Sequence, residues 1–369
     1  MAQRDLSQID VLVHNNITTY LNSLCMIDAT HFILSYLDQD NNNWYVKTFS
    51  IDGSFDNITE LDSVMFNSVV QYHTSVIKVD ATHYAVSYSD ASNDWRICMF
   101  SIDWSYQITE GSELEFDTSQ WLYVSSILLD STHIVIAHQW VNGDGFLRVI
   151  AINWSYVMTA VSVLEHDTAD CSYNSLVKID DTHFALAYDS TTNHWQLKTF
   201  SVDWNYAITE IDAIEFYSSA IYYNSLVLID STHLAVAYGN NTLWEIKTFS
   251  IDGSFDNITN IDTLQFTTDW AYNSMVLVDS THLAVAYFWS EISTSGNLRI
   301  ISFDGNYDNL TNISYLQYNV WNWSYNSMVL VDSTHLAVAS QGAGWYWTLS
   351  TFAIEWWITA NTTNFFQFM

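Results

Sequence analysis

A four-residue motif, Asp-x-Thr-His, occurs seven times along the chain and divides it into repeats of nearly equal length. The motifs begin at Asp28, Asp80, Asp130, Asp180, Asp230, Asp279 and Asp332. Their histidines are 52, 50, 50, 50, 49 and 53 residues apart. A period near fifty that runs from end to end is typical of repeat proteins, in which each repeat folds as one supersecondary unit. This period therefore constrains the fold before any local feature is considered.

Each repeat contains four short runs of β-branched, aromatic and aliphatic residues, separated by turn residues. In the fifth repeat the runs are residues 225–230, 233–238, 244–252 and 258–266. No window has the sustained 3.6-residue apolar period of a helix. Four antiparallel strands repeated seven times predict an all-β fold, a seven-bladed β-propeller with about 50 residues per repeat. A closed ring is one domain, so residues 1–369 are predicted to form a single domain.

The repeat sequence also resembles a known class. Leu-Val-Leu-Ile-Asp-Ser-Thr-His-Leu-Ala-Val-Ala-Tyr at residues 226–238, with its copies in the other repeats, is similar to propeller repeats of environmental bacterial and phage surface proteins. The Phe-Gly-Gly-Ala-Pro element of integrin-type blades is missing, since the chain has no proline. The Gly-His and Trp-Asp pairs of WD40 blades and the Asp-box of sialidases are missing too. The resemblance implies an architecture and no catalytic residue.

Charge and composition restrict the binding partners and the location that we expect for the protein. The formal net charge is −32, which repels phosphate backbones and anionic membranes, so nucleic acid is not an expected partner. Only 14% of residues are charged, so uncharged polar and aromatic side chains must cover much of the surface, which favours an extracellular or virion protein. No run of about eighteen apolar residues and no apolar leader segment occurs, so we expect no membrane insertion and see no signal peptide.

The repeated histidines permit two interpretations. Seven imidazoles on one face of a ring are potential metal ligands or pH sensors. Alternatively, the motif aspartate accepts hydrogen bonds from the backbone two residues on and holds a tight turn between the first two strands. The turn interpretation is favoured, because seven equivalent turns are spread around a wide rim and do not converge on one ion. Cys25, Cys98 and Cys171 occupy unrelated points of the repeat and are predicted to be buried thiols without a disulfide or metal role.

A second recurring turn has the form Asp-Gly-x-x-Asp and resembles part of a calcium loop. It occurs at residues 51–57 and 251–257, with a variant at residues 303–309. Other repeats have Trp104, Trp154 or Trp204 in place of the glycine, and tryptophan cannot replace glycine at a left-handed position. A full calcium loop also needs more oxygen ligands. The pattern therefore favours a hairpin turn of variable type, with calcium as the alternative and no metal site assigned.

Five of the nine cations stand at one place in the third strand of their repeats. They are Lys47, Arg148, Lys198, Lys247 and Arg299. We interpret them as cross-strand partners of acidic residues on the outer strand, for instance Glu115 or Glu215. Such pairs would discourage edge-to-edge aggregation of the blades.

The loops divide into two groups that open on opposite faces of a propeller. Turns between strands one and two and between strands three and four are nearly invariant, whereas the second-to-third loops and the blade-to-blade joins vary. Binding residues tend to lie on variable loops carried by a rigid scaffold. The variable loops are rich in Trp, Tyr, Asn and Asp, which suit sugar rings and protein interfaces. The candidate contact residues are Trp121, Trp140, Trp270, Trp289, Trp321, Trp323 and Trp345.

Nine Asn-x-Ser/Thr sequons make glycosylation an expectation in a eukaryotic or archaeal setting. The candidate asparagines are Asn16, Asn57, Asn153, Asn240, Asn257, Asn309, Asn312, Asn322 and Asn361.

The termini contain one strand-like segment too many. Residues 9–14, after a tail at residues 1–8, form a candidate ring-closing strand, and residues 358–369 carry a further copy of the fourth-strand pattern. If the N-terminal strand completes the last blade, the C-terminal segment is surplus and can pair with another subunit to build fibres. Alternatively, one of the two segments frays or adds a fifth strand to a blade.

These features favour a non-catalytic surface or virion module that binds glycan or protein, with self-association as a further partner hypothesis. A lectin-like monomer is the first alternative. A propeller glycoside hydrolase or lyase is the second, because abundant carboxylates leave room for a catalytic pair. The sequence has no nucleophile elbow, phosphate loop or His-Glu metal motif, and we predict no cofactor.

Overall fold

A computed structural model describes most of the chain. The described residues are 4–15, 19–38, 40–68, 73–90, 92, 94–118, 123–169, 171–190, 194–218, 221–240, 244–267, 273–289, 295–320, 326–341 and 346–356. They form 28 strands, numbered β1 to β28 in chain order. Among these residues we find no helix capable of crossing a membrane.

The strands form seven separate four-stranded antiparallel sheets, which are the blades. Blade 1 comprises β2 (Thr19–Asp28), β3 (His31–Asp38), β4 (Asn43–Ile51) and β5 (Ile58–Ser68). Blade 2 comprises β6 (Thr74–Lys78), β7 (His83–Ser89), β8 (Trp95–Ile102) and β9 (Ile108–Asp117). Blade 3 comprises β10 (Ser125–Asp130), β11 (His133–Gln139), β12 (Gly145–Ile152) and β13 (Met158–Asp167). Blade 4 comprises β14 (Ser172–Lys178), β15 (His183–Ser190), β16 (His194–Val202) and β17 (Ile208–Tyr217). Blade 5 comprises β18 (Ile221–Asp230), β19 (His233–Asn240), β20 (Trp244–Ile251) and β21 (Ile258–Thr267). Blade 6 comprises β22 (Asn273–Asp279), β23 (His282–Trp289), β24 (Ser295–Ser302) and β25 (Thr311–Val320). Blade 7 comprises β26 (Ser327–Asp332), β27 (His335–Gln341), β28 (Trp347–Trp356) and β1 (Arg4–Asn15). The predicted all-β, seven-bladed fold is confirmed.

The first strand of each blade is the innermost one. First strands of neighbouring blades contact each other around the ring, for example β14 with β18 and β18 with β22. Each inner strand therefore runs from one face of the disc to the other and ends at an Asp-x-Thr-His turn. We call the face with these turns the motif face, and the face where the inner strands begin the loop face.

The core is a set of apolar layers between blades. Second strands are buried on both sides, as in β3, where every residue after His31 is buried. Outer strands such as β9 alternate between exposed and partly buried residues, because they face solvent. Each apolar cluster draws on two neighbouring blades; the cluster that joins blades 7 and 1 contains Phe32, Leu34, Ala337 and Leu349. Because no blade has a complete core of its own, the ring is the folding unit.

The N-terminal strand closes the ring. β1 pairs antiparallel with β28, from Arg4 opposite Trp356 to Asn15 opposite Trp347, and takes the outer place of blade 7. The strand is longer than the sequence pattern indicated, because residues 4–8 belong to it. Residues 358–369, the segment predicted to be surplus, lie outside the described residues.

A continuous set of hydrogen bonds links the inner strands around the channel. In each blade a serine hydroxyl accepts a hydrogen bond from a backbone N–H of the next blade. The donor and acceptor atoms are Val76 N and Ser23 Oγ, Ser126 N and Ser75 Oγ, Leu176 N and Ser125 Oγ, Leu226 N and Ser175 Oγ, Met275 N and Ser225 Oγ, Met328 N and Ser274 Oγ, and Leu24 N and Ser327 Oγ, at 2.9 to 3.1 Å. Seven bonds for seven interfaces show that the ring is closed.

Two of the third-strand cations, Lys47 and Lys198, pair with outer-strand acids and also reach the preceding blade. Lys47 is buried, and its Nζ donates to the His14 carbonyl of the preceding blade at 3.0 Å and to Glu60 at 2.8 Å. Lys198 makes the same contacts with the His166 carbonyl and Glu210. The predicted cross-strand pairing with outer-strand acids is confirmed for these two lysines, with Glu60 and Glu210 as the partners in place of Glu115 or Glu215. Their long side chains also reach beneath the blade and join it to the previous one, which was not predicted. Glu115 instead accepts from Arg96.

Candidate functional site

A cavity of about 150 Å³ lies where the inner strands begin, at the mouth of the channel on the loop face. Its lining comes from the first residues of the inner strands and from the residues just before them. The lining residues are Asn22, His73, Thr74, Tyr123, Val124, Tyr173, Asn174, Tyr223, Asn224, Asn273 and Asn326. Every blade contributes at least one of them, so we call this cavity the channel mouth.

Four aromatic rings form an arc along blades 2 to 5 at the channel mouth. The ring centroids of His73 and Tyr123 are 4.4 Å apart, those of Tyr123 and Tyr173 4.1 Å, and those of Tyr173 and Tyr223 4.6 Å. All four residues have positive φ angles, between 56° and 79°. This left-handed conformation is unusual for aromatic residues and persists only where the surroundings enforce it. At Tyr173 and Tyr223 the left-handed residue coincides with a break in the register of the inner strand, between Ser172 and Ser175 and between Tyr222 and Asn224.

Asparagines beside these rings supply amide groups. The Nδ2 atoms of Asn174, Asn224 and Asn273 donate to the carbonyls of the tyrosines one blade earlier, at 2.9, 2.6 and 3.0 Å. These bonds fix the orientation of the amides. The Oδ1 atoms of Asn224 and Asn273 are buried and have no hydrogen-bond partner among the described residues. An unsatisfied buried acceptor costs free energy unless water or a ligand bonds to it.

The described lining of the channel mouth carries no formal charge. It contains no carboxylate and no lysine or arginine among the described residues. Burial lowers the pKa of His73 to about 3, so its imidazole is uncharged at physiological pH. Such a lining can accept hydrogen bonds and present aromatic faces, but it offers no carboxylate for acid–base chemistry.

On the motif face, the Asp-x-Thr-His turns join neighbouring blades. Each motif aspartate accepts a hydrogen bond from the threonine N–H two residues on, at 2.7 to 2.9 Å, as the turn interpretation predicts. The imidazole stacks on an aromatic ring from the third-to-fourth turn of the next blade. Six such stacks lie within the described residues: His31 on Tyr106, His83 on Tyr156, His133 on Tyr206, His183 on Phe255, His233 on Tyr307 and His335 on Phe55. The motif is thus a structural joint.

The electrostatics of the joint follow from its hydrogen bonds. Partial burial of Asp80 acts to raise its pKa. Hydrogen bonds from the Thr82 backbone, the Tyr156 hydroxyl and His83 outweigh burial and lower the pKa to about 2. The carboxylate therefore stays ionised and occupied by its own turn. In the described part of the chain, no three His, Cys, Asp or Glu side chains form a group suited to a metal ion.

The six described third-to-fourth turns share the geometry of their first four residues, in which the N–H of the aromatic residue donates to the carbonyl three residues earlier. Asp52 Oδ1 accepts from the backbone N–H groups of Ser54 and Asp56, and the left-handed residue is Phe55, with φ of 61°. The equivalent residues Tyr106, Tyr156, Tyr206, Phe255 and Tyr307 have φ between 59° and 64°. The turns differ in length, as the prediction of some freedom of turn type allows: six residues separate the strands in the glycine copy at 52–57 and five in the tryptophan copy at 103–107. In both forms the left-handed residue is the aromatic one and not Gly53.

Three tryptophans in this turn are almost fully exposed. Trp104, Trp154 and Trp204 have 90%, 93% and 86% of their surface exposed. They occupy the same turn position in blades 2, 3 and 4, on the motif face. We call them the tryptophan arc. From the sequence they were interpreted only as substitutes for glycine, and they were not predicted to be binding residues.

Most of the predicted contact tryptophans fall outside the described residues, namely Trp121, Trp270, Trp321, Trp323 and Trp345. Trp289 ends β23, and nothing is described of its side chain. Trp140 is half-buried beside β11, and its ring contacts the edge of Phe146 at a centroid distance of 5.7 Å. The loop-face tryptophans therefore stay a prediction.

The sequons are distributed over turns, strands and residues outside the described part of the chain. Asn57, Asn153, Asn257, Asn309 and Asn312 are exposed. Asn240 ends β19, and its side chain is not described. Asn16, Asn322 and Asn361 lie outside the described residues. Exposure meets the steric requirement for glycosylation at the first five sites.

The channel-mouth residues were not predicted from the sequence, although a signal exists. Tyr-Asn-Ser occurs at residues 173–175, 223–225, 272–274 and 325–327, always just before or at the start of an inner strand. The prediction of binding residues relied on loops that vary between repeats. The channel mouth is instead built from the same position of each repeat, where similar residues recur, so variation between repeats does not reveal it.

No protein-family model and no curated protein matches the sequence. Solved structures match the fold. The periplasmic gluconolactonase of Pseudomonas aeruginosa is 12% identical, with a TM-score of 0.61 over 91% of this chain and 92% of that chain. The WD40 domain of Toxoplasma gondii coronin is 7% identical, with a TM-score of 0.59 over 97% and 90% of the two chains. A Lactobacillus plantarum protein is 14% identical, with a TM-score of 0.59 over 86% and 100%.

At these identities the likeness is one of fold alone. The same propeller fold occurs in an enzyme and in WD40 proteins, so it is compatible with both catalytic and non-catalytic functions. What this chain does must therefore be argued from its own surfaces.

Proposed function

We propose that the chain is a non-catalytic binding module of an extracellular or virion surface. Its ligand is a neutral glycan, or a polar protein segment, held at the channel mouth and by the aromatic loops around it. The observation that carries the proposal is the neutral lining of aromatic rings and asparagine amides at the channel mouth. Sugars combine apolar ring faces with hydroxyl groups, and such a lining complements both.

The alternative of a glycoside hydrolase or lyase needs acidic and basic groups at the reacting bond. The lining residues of the described channel mouth favour binding over hydrolysis, because they include no carboxylate and because His73 is held neutral. The composition, with few charged residues and net charge −32, supports the extracellular or virion location.

A glycan array tests the proposal, with two substitutions that copy residues from other blades of the same chain. Blade 2 has Thr74 where blade 5 has Asn224, and blade 1 has Leu21 where blade 5 has Tyr223, so Asn224→Thr and Tyr223→Leu should preserve the fold. Each should weaken a glycan hit by about tenfold. Trp321→Ala and Trp323→Ala test the variable aromatic loops proposed to share in binding. Asn205→Thr, on the motif face, is the control and should leave binding unchanged. The absence of any hit, or hits indifferent to the channel-mouth variants, would contradict the proposal.

The second candidate function is self-assembly by strand donation. It is favoured by the position of β1, which completes the four strands of blade 7 without any residue after Trp356. A surplus strand pattern at residues 358–369 is then available to pair with another subunit.

A further inference from the structure

The tryptophan arc has no packing role in the fold. In blades 1, 5 and 6, the same turn position holds Gly53, Gly253 and Gly305. A Cβ atom added at any of these glycines would meet no described atom within 4 Å. The position therefore projects into open space, and the first four residues of the turn have the same backbone hydrogen bond with glycine or tryptophan. Three large apolar side chains are exposed at places where the fold does not need them.

The turn that carries each tryptophan is rigid. Asp103 Oδ1 accepts from the backbone N–H groups of Ser105 and Gln107 at 2.8 and 2.9 Å. Tyr106, two residues after Trp104, stacks on His31, and its hydroxyl donates to Asp28 at 2.8 Å. In the turns of Trp154 and Trp204, Asn153 and Asp203 accept the same two backbone hydrogen bonds, and Tyr156 and Tyr206 stack on His83 and His133. The backbone beneath all three indoles is thus held before any ligand binds, which lowers the entropy cost of binding.

The spacing of the three tryptophans and the net charge of the protein restrict the kind of ligand that the arc can bind. Neighbouring sheets pack about 10 Å apart, so equivalent tryptophans on adjacent blades are separated by at least about that distance. One small molecule cannot contact all three, whereas an extended repeating chain can. The net charge of −32 opposes polyanions, anionic membranes and the face-to-face approach of a second copy. A neutral polymer with flat apolar faces meets both conditions.

We propose that the tryptophan arc is a second binding surface, for a neutral linear polysaccharide such as cellulose or chitin, of which three sugar rings spaced along the polymer stack on Trp104, Trp154 and Trp204. This surface lies on the motif face and goes beyond the function proposed for the channel mouth. Its three weak contacts act together, because binding at one tryptophan raises the effective concentration of the polymer at the next.

The proposal is tested by depletion of the purified chain, made in a bacterial host that leaves Asn153 bare, onto insoluble cellulose and chitin. Trp104→Gly, Trp154→Gly and Trp204→Gly copy the glycine turns of the same protein and should fold normally. Each single change should weaken binding about three- to tenfold, the scale of one aromatic contact. The triple variant should not bind. The channel-mouth variants Asn224→Thr and Tyr223→Leu should bind as the unmodified chain does, which separates this surface from the channel mouth.

A gain of binding provides a matched positive test. Blade 5 adjoins blade 4, so Gly253→Trp extends the arc to four consecutive blades. Blade 6 does not adjoin any blade of the arc, so Gly305→Trp adds an isolated tryptophan. We expect Gly253→Trp to strengthen binding about three- to tenfold, and Gly305→Trp to change it less than about twofold.

Three outcomes would overturn the proposal. One is the absence of binding to both cellulose and chitin, and another is binding that the triple variant retains. The third is association with phosphatidylcholine vesicles, or with a second copy in sedimentation, that depends on the tryptophans when polysaccharide binding does not. That result would assign the arc to a membrane or to a dimer interface.

Discussion

Four histidines outside the repeated motif are held uncharged by the interior of the protein. Burial lowers the pKa of His14 to about 3, with a further contribution from the charge of Lys47. Burial also lowers the pKa of His73 to about 3, that of His138 to about 4, and that of His166 well below its usual range. An unfolded histidine binds its proton near pH 6.5. All four residues therefore destabilise the folded chain in acid.

The first prediction concerns His14. Between about pH 6.5 and pH 3 the unfolded chain binds a proton at this residue and the folded chain does not. The free energy of unfolding should therefore fall with falling pH, by about 1.4 kcal/mol per pH unit for this residue. Phe66 occupies the same place in blade 1, and both side chains contact two aromatic rings edge-on. His14→Phe should reduce the pH dependence, measured by urea unfolding at pH 7 and pH 5.

The reciprocal substitution is the control. Phe66→His places an imidazole in the equivalent buried site and should add acid sensitivity over the same pH range. Equal pH dependence in both variants and in the unmodified chain would contradict the assignment of acid sensitivity to this position. The motif aspartates act at lower pH, since their carboxylates have lowered pKa values and lose stabilising hydrogen bonds only when protonated.

Tryptophan shows how far residue identity alone could predict the site. Trp44, Trp95, Trp195, Trp244 and Trp347 stand at or beside the start of third strands and are buried between blades. Trp104 and its two equivalents are exposed in turns. Strand position could have predicted the first group. The second group was missed because glycine and tryptophan alternate at one turn position, and this alternation was used only to argue about the backbone conformation there. The left-handed residue is instead the aromatic one two positions later, for example Tyr106 after Trp104.

At the scale of the strand, pairing within a blade was predictable and contacts between blades were not. Period-two alternation and turn residues mark the four strands of each repeat in the sequence. Nothing in that pattern shows that Lys47 Nζ reaches the His14 carbonyl, because the contact crosses to a strand at the far end of the chain. The common position of the five cations was a correct signal of a shared role. The role itself depends on the depth of the blade packing.

The second prediction tests this role of the third strand. Lys47→Met keeps the apolar stem and removes the ammonium group, leaving the buried His14 carbonyl without its donor and Glu60 without its partner. We expect a loss of about 1–3 kcal/mol in the free energy of unfolding, measured by urea denaturation. Lys178→Met is the matched control, since Lys178 pairs with Asp181 at an exposed site. It should change stability by less than about 0.5–1 kcal/mol. Equal effects of the two substitutions would show that Lys47 does not join the blades.

At the scale of the whole molecule, the way in which the ring of blades closes determines both the stability of the fold and its capacity to assemble. The repeat count predicted seven blades, and the sequence offered two segments for the outer place of the last blade. Pattern alone could not choose between them, because both have the alternation of an outer strand. In the structure, β1 pairs with β28 along its whole length, and Leu6 joins the apolar cluster between blades 6 and 7.

The third prediction follows from this closure. Deletion of residues 1–15 removes the outer strand of blade 7 together with the Leu6 contacts and the Lys47 acceptor, so we expect the chain to lose cooperative unfolding. If the C-terminal segment is surplus to the ring, deletion of residues 358–369 should shift the melting temperature by less than about 3 °C. Electron microscopy over a range of concentrations then shows whether the chain forms fibres by strand donation or stays as separate discs. Fibres formed by the full chain and absent after the C-terminal deletion would establish strand donation, since an unpaired strand adds to another subunit without closing. Discrete discs at every concentration, with or without residues 358–369, would exclude it and leave the two binding faces as the functional surfaces.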